Sequence, residues 1–305
     1  MIIETEGLRK SFRARGREKK VVEAVRGVDL MIDEGEIFGF LGPNGAGKTT
    51  TLRMLAGLVK PTSGSATVLG ERPGHPAALA RIGVLVESPG FYPYLSGRDN
   101  LRVLARYAEV ADRRVDAALE LVQLTDRAGD RYSSYSLGMK QRLGVAATLL
   151  KDPELLILDE PTNGLDPAGM RDMRALIRDL GARGHTVLLS SHLLAEVQQL
   201  CDRAGVISGG ELIAESTIQE LRGRAGLLVA GVPLDRARDS AERLLGAENV
   251  TVVDGTLRLR TDPSQAGRVS SALVADGVVL TELRPLERTL EEVFLEMTGA
   301  TEAGA

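Results

Sequence analysis

Nine residues, from Gly42 to Thr50, have the types and the spacing of a phosphate-binding loop. Their order is Gly-Pro-Asn-Gly-Ala-Gly-Lys-Thr-Thr, and they lie between the apolar run 37–41 and the helical pattern 51–55. A strand, a glycine loop and a helix in that order are the context in which such a loop binds phosphate. Glycines let successive backbone N–H groups turn towards one anion, and the positive end of the helix dipole lies at the same place. The segment therefore predicts a site for a nucleoside triphosphate.

Two side chains of this loop add chemistry to its backbone. Lys48 brings a positive charge to the β- and γ-phosphates, and the hydroxyl of Thr49 is placed to bind a Mg²⁺ ion. Lys48 is also a candidate catalytic group, because a cation stabilises charge on a transferring phosphoryl group. The nucleotide contacts expected in this loop are Gly42, Pro43, Asn44, Gly45, Ala46, Gly47, Lys48, Thr49 and Thr50.

Two adjacent acids, Asp159 and Glu160, close the apolar run 155–158. An open parallel sheet binds its ligand at the carboxyl ends of its strands, so we expect these acids beside the phosphate loop. Asp159 is predicted to hold Mg²⁺ through water, and Glu160 to orient or deprotonate an attacking water. Taken alone, two acids at a strand end are equally compatible with a solvated edge. Directly after them, Asp166 and Pro167 have the types of a helix N-cap and a first helical residue.

The segment 135–142, Tyr-Ser-Leu-Gly-Met-Lys-Gln-Arg, predicts a second anion site. A hydroxyl, a glycine and an exposed helix N-terminus together can bind a phosphate. In isolation the same segment is equally compatible with an ordinary capped helix start. An enzyme with one phosphate loop needs only one such cradle, so the second site requires an explanation.

Length and composition limit the protein class. The 305 residues favour two domains, and the 43% apolar and 26% charged content is typical of a globular protein. The net charge of −4 gives no electrostatic reason to expect a nucleic-acid partner. The single cysteine, Cys201, excludes an internal disulfide, and we interpret it as a packing residue in a reducing compartment. No run of 18 apolar residues is present, so we expect the chain to reach a membrane only through another protein.

Short apolar runs that alternate with helical patterns predict an α/β fold with a parallel sheet covered on both faces. Residues 1–35 predict antiparallel strands, interrupted by the basic run 13–20. This run is interpreted as a solvated hairpin tip, with a nucleic-acid arm as the alternative. Residues 96–150 predict a helical insert within the α/β core. All of this is expected to form one domain, residues 1–220.

Residues 221–305 predict a smaller α+β domain. The pattern gives strands and helices in the order β-α-β-β-α-β, which is ferredoxin-like, and Asp254-Gly255 has the sequence of a hairpin turn. An amphipathic helix is predicted over 290–298. The domain holds no cluster of catalytic residue types, so we expect it to serve packing, dimer contact or regulation.

The motifs and their order resemble the ATP-binding subunit of an ABC transporter. The closest resemblance is to the drug and antibiotic exporter branch typified by daunorubicin-resistance ATPases, and the motifs cover residues 1 to about 220. The resemblance implies a P-loop NTPase cassette with a RecA-like core, an antiparallel β subdomain and the helical insert. It also implies that ATP and Mg²⁺ bind, and that ATP hydrolysis drives export of a drug, an antibiotic or another hydrophobic compound.

The same resemblance implies roles for individual residues. Phe12 stacks on adenine, and residues 42–50 and 155–160 are the motifs named Walker A and Walker B. Glu160 is the catalytic carboxylate, Asp166 belongs to the D-loop, and His192 is the switch histidine that contacts the γ-phosphate. The signature motif, which binds the ATP of a second subunit, corresponds to Ser136, Leu137, Gly138 and Met139.

Three positions depart from the common family pattern. Leu137 and Met139 stand where the family has glycine and glutamine, although backbone N–H donors survive such changes. Glu87 stands at the glutamine of the Q-loop, where it is expected to contact the nucleotide and Mg²⁺. A carboxylate binds a metal more strongly than an amide does but cannot donate a hydrogen bond. These departures are familiar in the antibiotic-exporter branch.

The implied partners are a second ATPase subunit and a membrane subunit. Two copies are expected to meet head to tail with ATP between them, the homodimer being the favoured arrangement. The separate membrane subunit is expected to have about six apolar spans and to hold this chain at the cytoplasmic face of the membrane. Residues 88–95 carry three aromatic rings, which either pack the helical insert onto the core or form a groove for that subunit.

Three other classes of nucleotide-binding protein fit the sequence less well. An ABC-type ATPase of translation or DNA repair has two fused cassettes or long coiled-coil inserts, and this chain has one cassette and no heptads. A nucleotide kinase or GTPase has no use for the segment 135–142. A regulatory ATP-binding module does not need the intact Lys48, Asp159, Glu160 and His192.

Overall fold

The computed structural model describes residues 1–13, 21–86, 90–222 and 226–286. Three predicted features lie outside the described residues. They are the Q-loop residue Glu87, the helix over 290–298 and all but Arg13 of the basic run.

The residue contacts divide the chain into two compact units, Met1–Thr217 and Ile218–Ala305. The boundary predicted from the sequence, after residue 220, lies three residues further along the chain.

Within the described residues, the first unit is built on one sheet of ten strands. In chain order the strands are β1 (Ile3–Arg13), β2 (Val21–Val28), β3 (Met31–Ile32), β4 (Ile37–Leu41), β5 (Ser63–Val68), β6 (Ile82–Leu85), β7 (Leu155–Asp159), β8 (Thr186–Ser191), β9 (Arg203–Ser208) and β10 (Glu211–Thr217). The helices of this unit are α1 (Lys48–Leu55), α2 (Pro76–Leu79), α3 (Gly97–Tyr107), α4 (Arg113–Leu121), α5 (Leu137–Leu149), α6 (Pro167–Ala182) and α7 (Leu194–Leu200).

One half of this sheet is parallel, as predicted. Strands β9, β4, β8, β7 and β6 lie side by side in that order, and each neighbouring pair is parallel. Every residue of β4 and β8 is buried, which is why β4 is apolar throughout and β8 carries the continuous apolar run 187–189 rather than an alternating pattern. Parallel strands end at the same edge, so the residues after β4, β7 and β8 are brought together there.

The other side of the sheet is an antiparallel arm. Strand β1 pairs antiparallel with β2, β3 and β5, which confirms the antiparallel subdomain implied by the sequence. The pairing of β1 with β2 extends to Arg13 and Val21, so the basic run connects two strands of an antiparallel pair. Strand β10 joins the arm to the parallel half, since it pairs antiparallel with β9 and parallel with β2.

Helices α3, α4 and α5 form the predicted insert, and a buried tyrosine fixes the chain at the start of α5. The side chain of Tyr135 is buried, and its hydroxyl donates a hydrogen bond to the carbonyl oxygen of Arg127 at 2.8 Å. Burial raises the pKa of this phenol above its ordinary value. Gly97 makes room for the ring, because a Cβ atom there would lie 2.1 Å from the tyrosine oxygen. The anchored Tyr135 sets the position of Ser136, the next residue.

The second unit has the predicted β-α-β-β-α-β order. After the short helix α8 (Ile218–Arg222), its elements are β11 (Gly226–Val232), α9 (Leu234–Leu245), β12 (Val250–Val253), β13 (Thr256–Leu259), α10 (Ala266–Ala275) and β14 (Val279–Leu286). Its antiparallel sheet has the order β12-β13-β11-β14. Apolar residues of the sheet and of α9 and α10 form one core, which includes Leu227, Leu257, Ala237 and Val269.

Candidate functional site

The glycine loop between β4 and α1 has the backbone conformation of an anion cradle. Gly45 and Gly47 have φ values of 81° and 108°, in the left-handed region that favours glycine. A Cβ atom on Gly47 would lie 2.5 Å from the carbonyl oxygen of Ala24, so a side chain there would clash with backbone. The loop opens into a cleft of about 210 Å³. The residues lining this phosphate cleft are Ala24, Asn44, Gly45, Gly47, Lys48, Thr49, Thr50, Glu160 and Asn163.

Lys48 is the cation of this cleft and is nearly buried, with 5% of its surface exposed. Its Nζ atom donates hydrogen bonds to the carbonyl oxygens of Gly42 at 2.7 Å and Pro43 at 3.3 Å. The same atom lies 3.2 Å from Oε1 of Glu160. A buried charge is stable only when it is paired and hydrogen-bonded, and these three acceptors meet that requirement.

Glu160 joins Lys48 to His192. Its Oε2 atom lies 2.7 Å from Nδ1 of His192, while Oε1 faces Lys48. The sequence predicted all three residues at one edge of the sheet, and the structure brings them into direct contact. Glu160 also has a left-handed backbone, with φ of 49°, a conformation that costs a non-glycine residue about 1–2 kcal/mol. Its contacts at both the side chain and the backbone hold it in that conformation.

A buried serine, which the sequence analysis did not identify, fixes both acids of the Walker B motif. The hydroxyl of Ser190 donates to Oδ1 of Asp159 at 2.5 Å and accepts the backbone N–H of Glu160 at 3.0 Å. Ser190 lies directly opposite Asp159 in the pairing of β7 with β8. The signal in the sequence was the pair of serines that ends β8, which becomes informative only once the strand register is known.

The turn after the acids also contributes to the cleft. Asp166 is the N-cap of α6, with its carboxylate accepting the N–H of Gly169 at 2.8 Å, and Pro167 is the first helical residue. The predicted helix start is therefore confirmed. Asn163 lines the phosphate cleft and was not predicted, since an asparagine in this turn has no distinctive spacing.

The signature segment begins a helix, as expected. The Ser136 hydroxyl accepts the N–H of Met139 at 3.3 Å, and α5 starts at Leu137. Leu137 is 48% exposed, and a Cβ atom added to Gly164 would lie 3.2 Å from its Cδ2 atom. The exposed end of α5 thus lies against the turn that holds Asp166. None of the residues 136–139 lines the phosphate cleft of their own chain.

The remaining predicted contacts have different surroundings. Phe12 lies at the end of β1 with 43% of its surface exposed, and Nζ of Lys10 is 5.1 Å from the centre of its ring. The ring is therefore accessible to a flat ligand, and its stacking on adenine stays a prediction. Cys201 is buried, as expected of a packing residue, and burial raises the pKa of its thiol far above the ordinary value.

The three aromatic residues of the segment 88–95 have different surroundings. Phe91 packs edge-on against Tyr132 of the insert, with 5.2 Å between the ring centres. Tyr92 and Tyr94 are 45% and 67% exposed. The buried Asn100 side chain holds this loop, since it accepts the N–H of Tyr92 at 2.7 Å and donates to the Tyr92 carbonyl oxygen at 3.0 Å. One ring packs the insert, and the other two form a surface.

Comparison with known proteins assigns the family. The family model described as ABC transporter matches residues 25–163. The bacitracin transport ATP-binding protein BcrA of Bacillus licheniformis is 38% identical over 322 aligned residues, which cover 99% of each chain. The chain belongs to the ABC transporter ATP-binding proteins. The linearmycin resistance ATP-binding protein LnrL of Bacillus subtilis is 36% identical and covers 98% of this chain and 99% of its own.

The comparison with solved structures agrees with this family. A solved structure described as the ATP-binding subunit of an ABC transporter has a TM-score of 0.63 and 28% identity, covering 73% of this chain and 92% of its own. The ABC ATPase cassette inferred from the motifs is therefore confirmed, and the chain is an ATPase subunit that binds ATP. Among the residues that the structure describes, no helix is both long and apolar enough to cross a membrane.

Proposed function

We propose that this ABC ATPase powers the export of an antibiotic, a drug or another hydrophobic compound through a separate membrane subunit. The relatives named for bacitracin transport and linearmycin resistance support this, because they match over nearly the whole chain, including the second unit. The contact of Glu160 with Lys48 and His192 at the phosphate loop is the observation that carries the ATPase activity.

The described residues fit Mg²⁺ as well as ATP. Thr49 lines the phosphate cleft, and Asp159 ends β7 at the same edge of the sheet, with one carboxylate oxygen engaged by Ser190. A hydroxyl and a carboxylate are ligands that Mg²⁺ prefers beside phosphate. When bound, the ion neutralises charge on the phosphates. We assign Thr49 and Asp159 to this ion, and Glu87 as a third ligand by its place in the Q-loop.

The contacts of Glu160 give it a defined path to catalysis. In the structure, one carboxylate oxygen of Glu160 faces Lys48 and the other faces His192. A bound γ-phosphate attracts both the ammonium group of Lys48 and the ring N–H of His192. Glu160 then loses one or both contacts and accepts a proton from the attacking water, a role worth about 10²–10⁴-fold in rate. Lys48 and His192 stabilise the charge on the transferring phosphoryl group.

The active site is completed by a second copy of the chain. The signature residues 136–139 do not line the cleft of their own chain, yet they form an exposed helix N-terminus suited to a phosphate. A head-to-tail homodimer places this end of α5 against the γ-phosphate bound by the other copy. Hydrolysis removes the phosphate that joins the two copies, and the dimer opens.

The membrane subunit is proposed to bind beside the aromatic loop. Tyr92 and Tyr94 present two exposed rings, and the loop follows directly after the Q-loop position. Movement at the nucleotide can thus reach the partner over a few residues. This contact would hold the ATPase at the cytoplasmic face of the membrane. A photo-crosslinker at Tyr92 is expected to label the membrane subunit, and labelling confined to the chain itself would contradict the assignment.

A transport test separates export from a role without a membrane partner. Cells that express this chain together with its membrane subunit are expected to tolerate more of a hydrophobic antibiotic that the pair exports than cells that express neither protein. The Glu160→Gln variant, expressed at the same level, is expected to abolish the gain. Equal tolerance with and without an active ATPase, over a panel of hydrophobic antibiotics, would contradict the export proposal.

A further inference from the structure

A buried carboxylate behind the active site has no role in the mechanism described so far. Glu196 lies in the first turn of α7 with 4% of its surface exposed. Its Oε2 atom accepts two hydrogen bonds, from the Thr162 hydroxyl at 2.6 Å and from the Ser191 hydroxyl at 3.1 Å. Within the part of the chain that the structure describes, its Oε1 atom has no hydrogen-bond partner. Burying a carboxylate is costly, so such a group calls for an explanation.

The two donors lead directly to the catalytic residues. Thr162 follows Glu160 by two residues, and Ser191 immediately precedes His192. The Ser191 hydroxyl also accepts the backbone N–H of Leu193 at 3.0 Å, which fixes the chain on the other side of His192. One carboxylate oxygen therefore ties the turn after β7 to the turn after β8.

These bonds close a ring of contacts around the site. On the outer side, Glu160 and His192 contact each other at 2.7 Å. On the inner side, Glu196 connects the two turns that carry them, and Thr162, Ser191 and Glu196 are all buried. When a γ-phosphate separates Glu160 from His192, the outer contact is lost and the inner connection remains.

We propose that Glu196 is a positioning residue that keeps the two backbone segments carrying Glu160 and His192 in a fixed relative position through the catalytic cycle, while the two side chains move apart. The proposal rests on the roles assigned above to Glu160 and His192. A displacement of about 1 Å at a reacting group can cost about 10²-fold in rate, so a connection of this kind acts on the chemical step. Glu196 does not line the phosphate cleft, and its loss leaves the nucleotide contacts in place.

The hydrogen bonds to Glu196 require an acceptor oxygen but not a negative charge. Both hydrogen bonds end on the same oxygen, Oε2, so a single carbonyl oxygen in that place satisfies both donors. The isosteric change Glu196→Gln keeps that oxygen and removes the negative charge. Glu196→Leu keeps similar bulk and removes the acceptor.

The test compares steady-state ATPase activity, ATP affinity and melting temperature for the full-length chain and its variants. Glu196→Leu is expected to lower kcat at least about tenfold with the ATP dissociation constant changed less than about threefold. Glu196→Gln is expected to keep kcat within about threefold of the unaltered chain. Glu120→Leu, on the exposed face of α4, is the matched control for the same exchange. If Glu196→Leu does not fold, Thr162→Val removes one donor at constant shape and is expected to lower kcat about threefold or more.

A double-mutant cycle separates positioning from a loss of stability. If Glu196 acts through His192 and Glu160, combining Glu196→Leu with His192→Ala is expected to lower kcat by less than the product of the two single losses, because the part that acts through His192 is already lost. A merely structural role would multiply the two effects. The inference is overturned if Glu196→Leu and Thr162→Val keep the kcat of the unaltered chain, or if the effects multiply. Unchanged kcat in His192→Ala and Glu160→Gln themselves would instead overturn the proposed catalytic roles.

Discussion

The change Glu160→Gln separates ATP binding from ATP hydrolysis. Glutamine has the size of glutamate, and its amide oxygen can still accept the hydrogen bond from His192. What it removes is the negative charge that faces Lys48 at 3.2 Å and the group that takes a proton from water. Lys48 keeps its two bonds to the carbonyl oxygens of the loop, so the cradle stays assembled.

The expected loss in kcat follows from the role of Glu160 as the base. Loss of a general base costs about 10²–10⁴-fold in kcat, or about 2.7–5.4 kcal/mol of activation free energy. ATP affinity is expected to stay the same or to rise, because the carboxylate no longer competes with the phosphates for Lys48. The variant should therefore accumulate with Mg-ATP bound, as a closed dimer.

Phosphate release measures the rate, fluorescence of a nucleotide analogue measures affinity, and light scattering measures mass. The matched control is Glu154→Gln, which breaks an exposed ion pair with Arg81 away from the cleft and is expected to leave kcat within about twofold. A Glu160→Gln variant with at least a tenth of the normal kcat would refute the role of Glu160. A variant that stays monomeric at saturating Mg-ATP would refute closure by ATP.

Further predictions concern the cradle and the lone cysteine. Lys48→Met is expected to raise the ATP dissociation constant about tenfold or more, because it removes a charged donor to the phosphates. An unchanged dissociation constant, measured by titration calorimetry, would contradict this. Gly47→Ala should lower both the melting temperature and the ATP affinity, since the added Cβ would lie 2.5 Å from the Ala24 carbonyl oxygen. Gly45→Ala should have the smaller effect, because a Cβ atom there would have no neighbouring atom within 4 Å. Cys201 should react with iodoacetamide at pH 8 at least about a hundredfold more slowly in the native chain than in denaturant, because burial raises the pKa of its thiol; equal rates would disprove its burial.

The parts of the site that lie within one short segment were predictable. The glycine loop, the acid pair and the helix starts at Ser136 and Asp166 are defined by residue types a few positions apart. The backbone rules for a phosphate cradle and for an N-cap act over the same distance, so the pattern alone is sufficient. Placing His192 near the phosphates needed only the rule that parallel strands end at one edge.

The contacts between segments could not be read from the pattern. Ser190 and Glu196 have no distinctive local spacing, and Asp159 and Thr162, which they contact across the sheet edge, lie 31 and 34 residues earlier in the chain. Those contacts depend on the register of β7 with β8, which the apolar runs do not specify, since both strands are buried on both faces. The direct bond between Glu160 and His192 was missed for the same reason.

The most direct test of the whole account asks whether the phosphate loop and the signature segment that share one ATP belong to different chains. Two single variants, Asn44→Cys and Ser136→Cys, are mixed in equal amounts and treated with a short bismaleimide. The natural thiol, Cys201, is buried and stays unmodified. With Mg-ATP the mixture is expected to give a product of twice 32.6 kDa, which neither variant gives alone and which disappears without ATP. If the mixture gives no such product, and the two cysteines placed in one chain crosslink within it instead, the shared active site is contradicted.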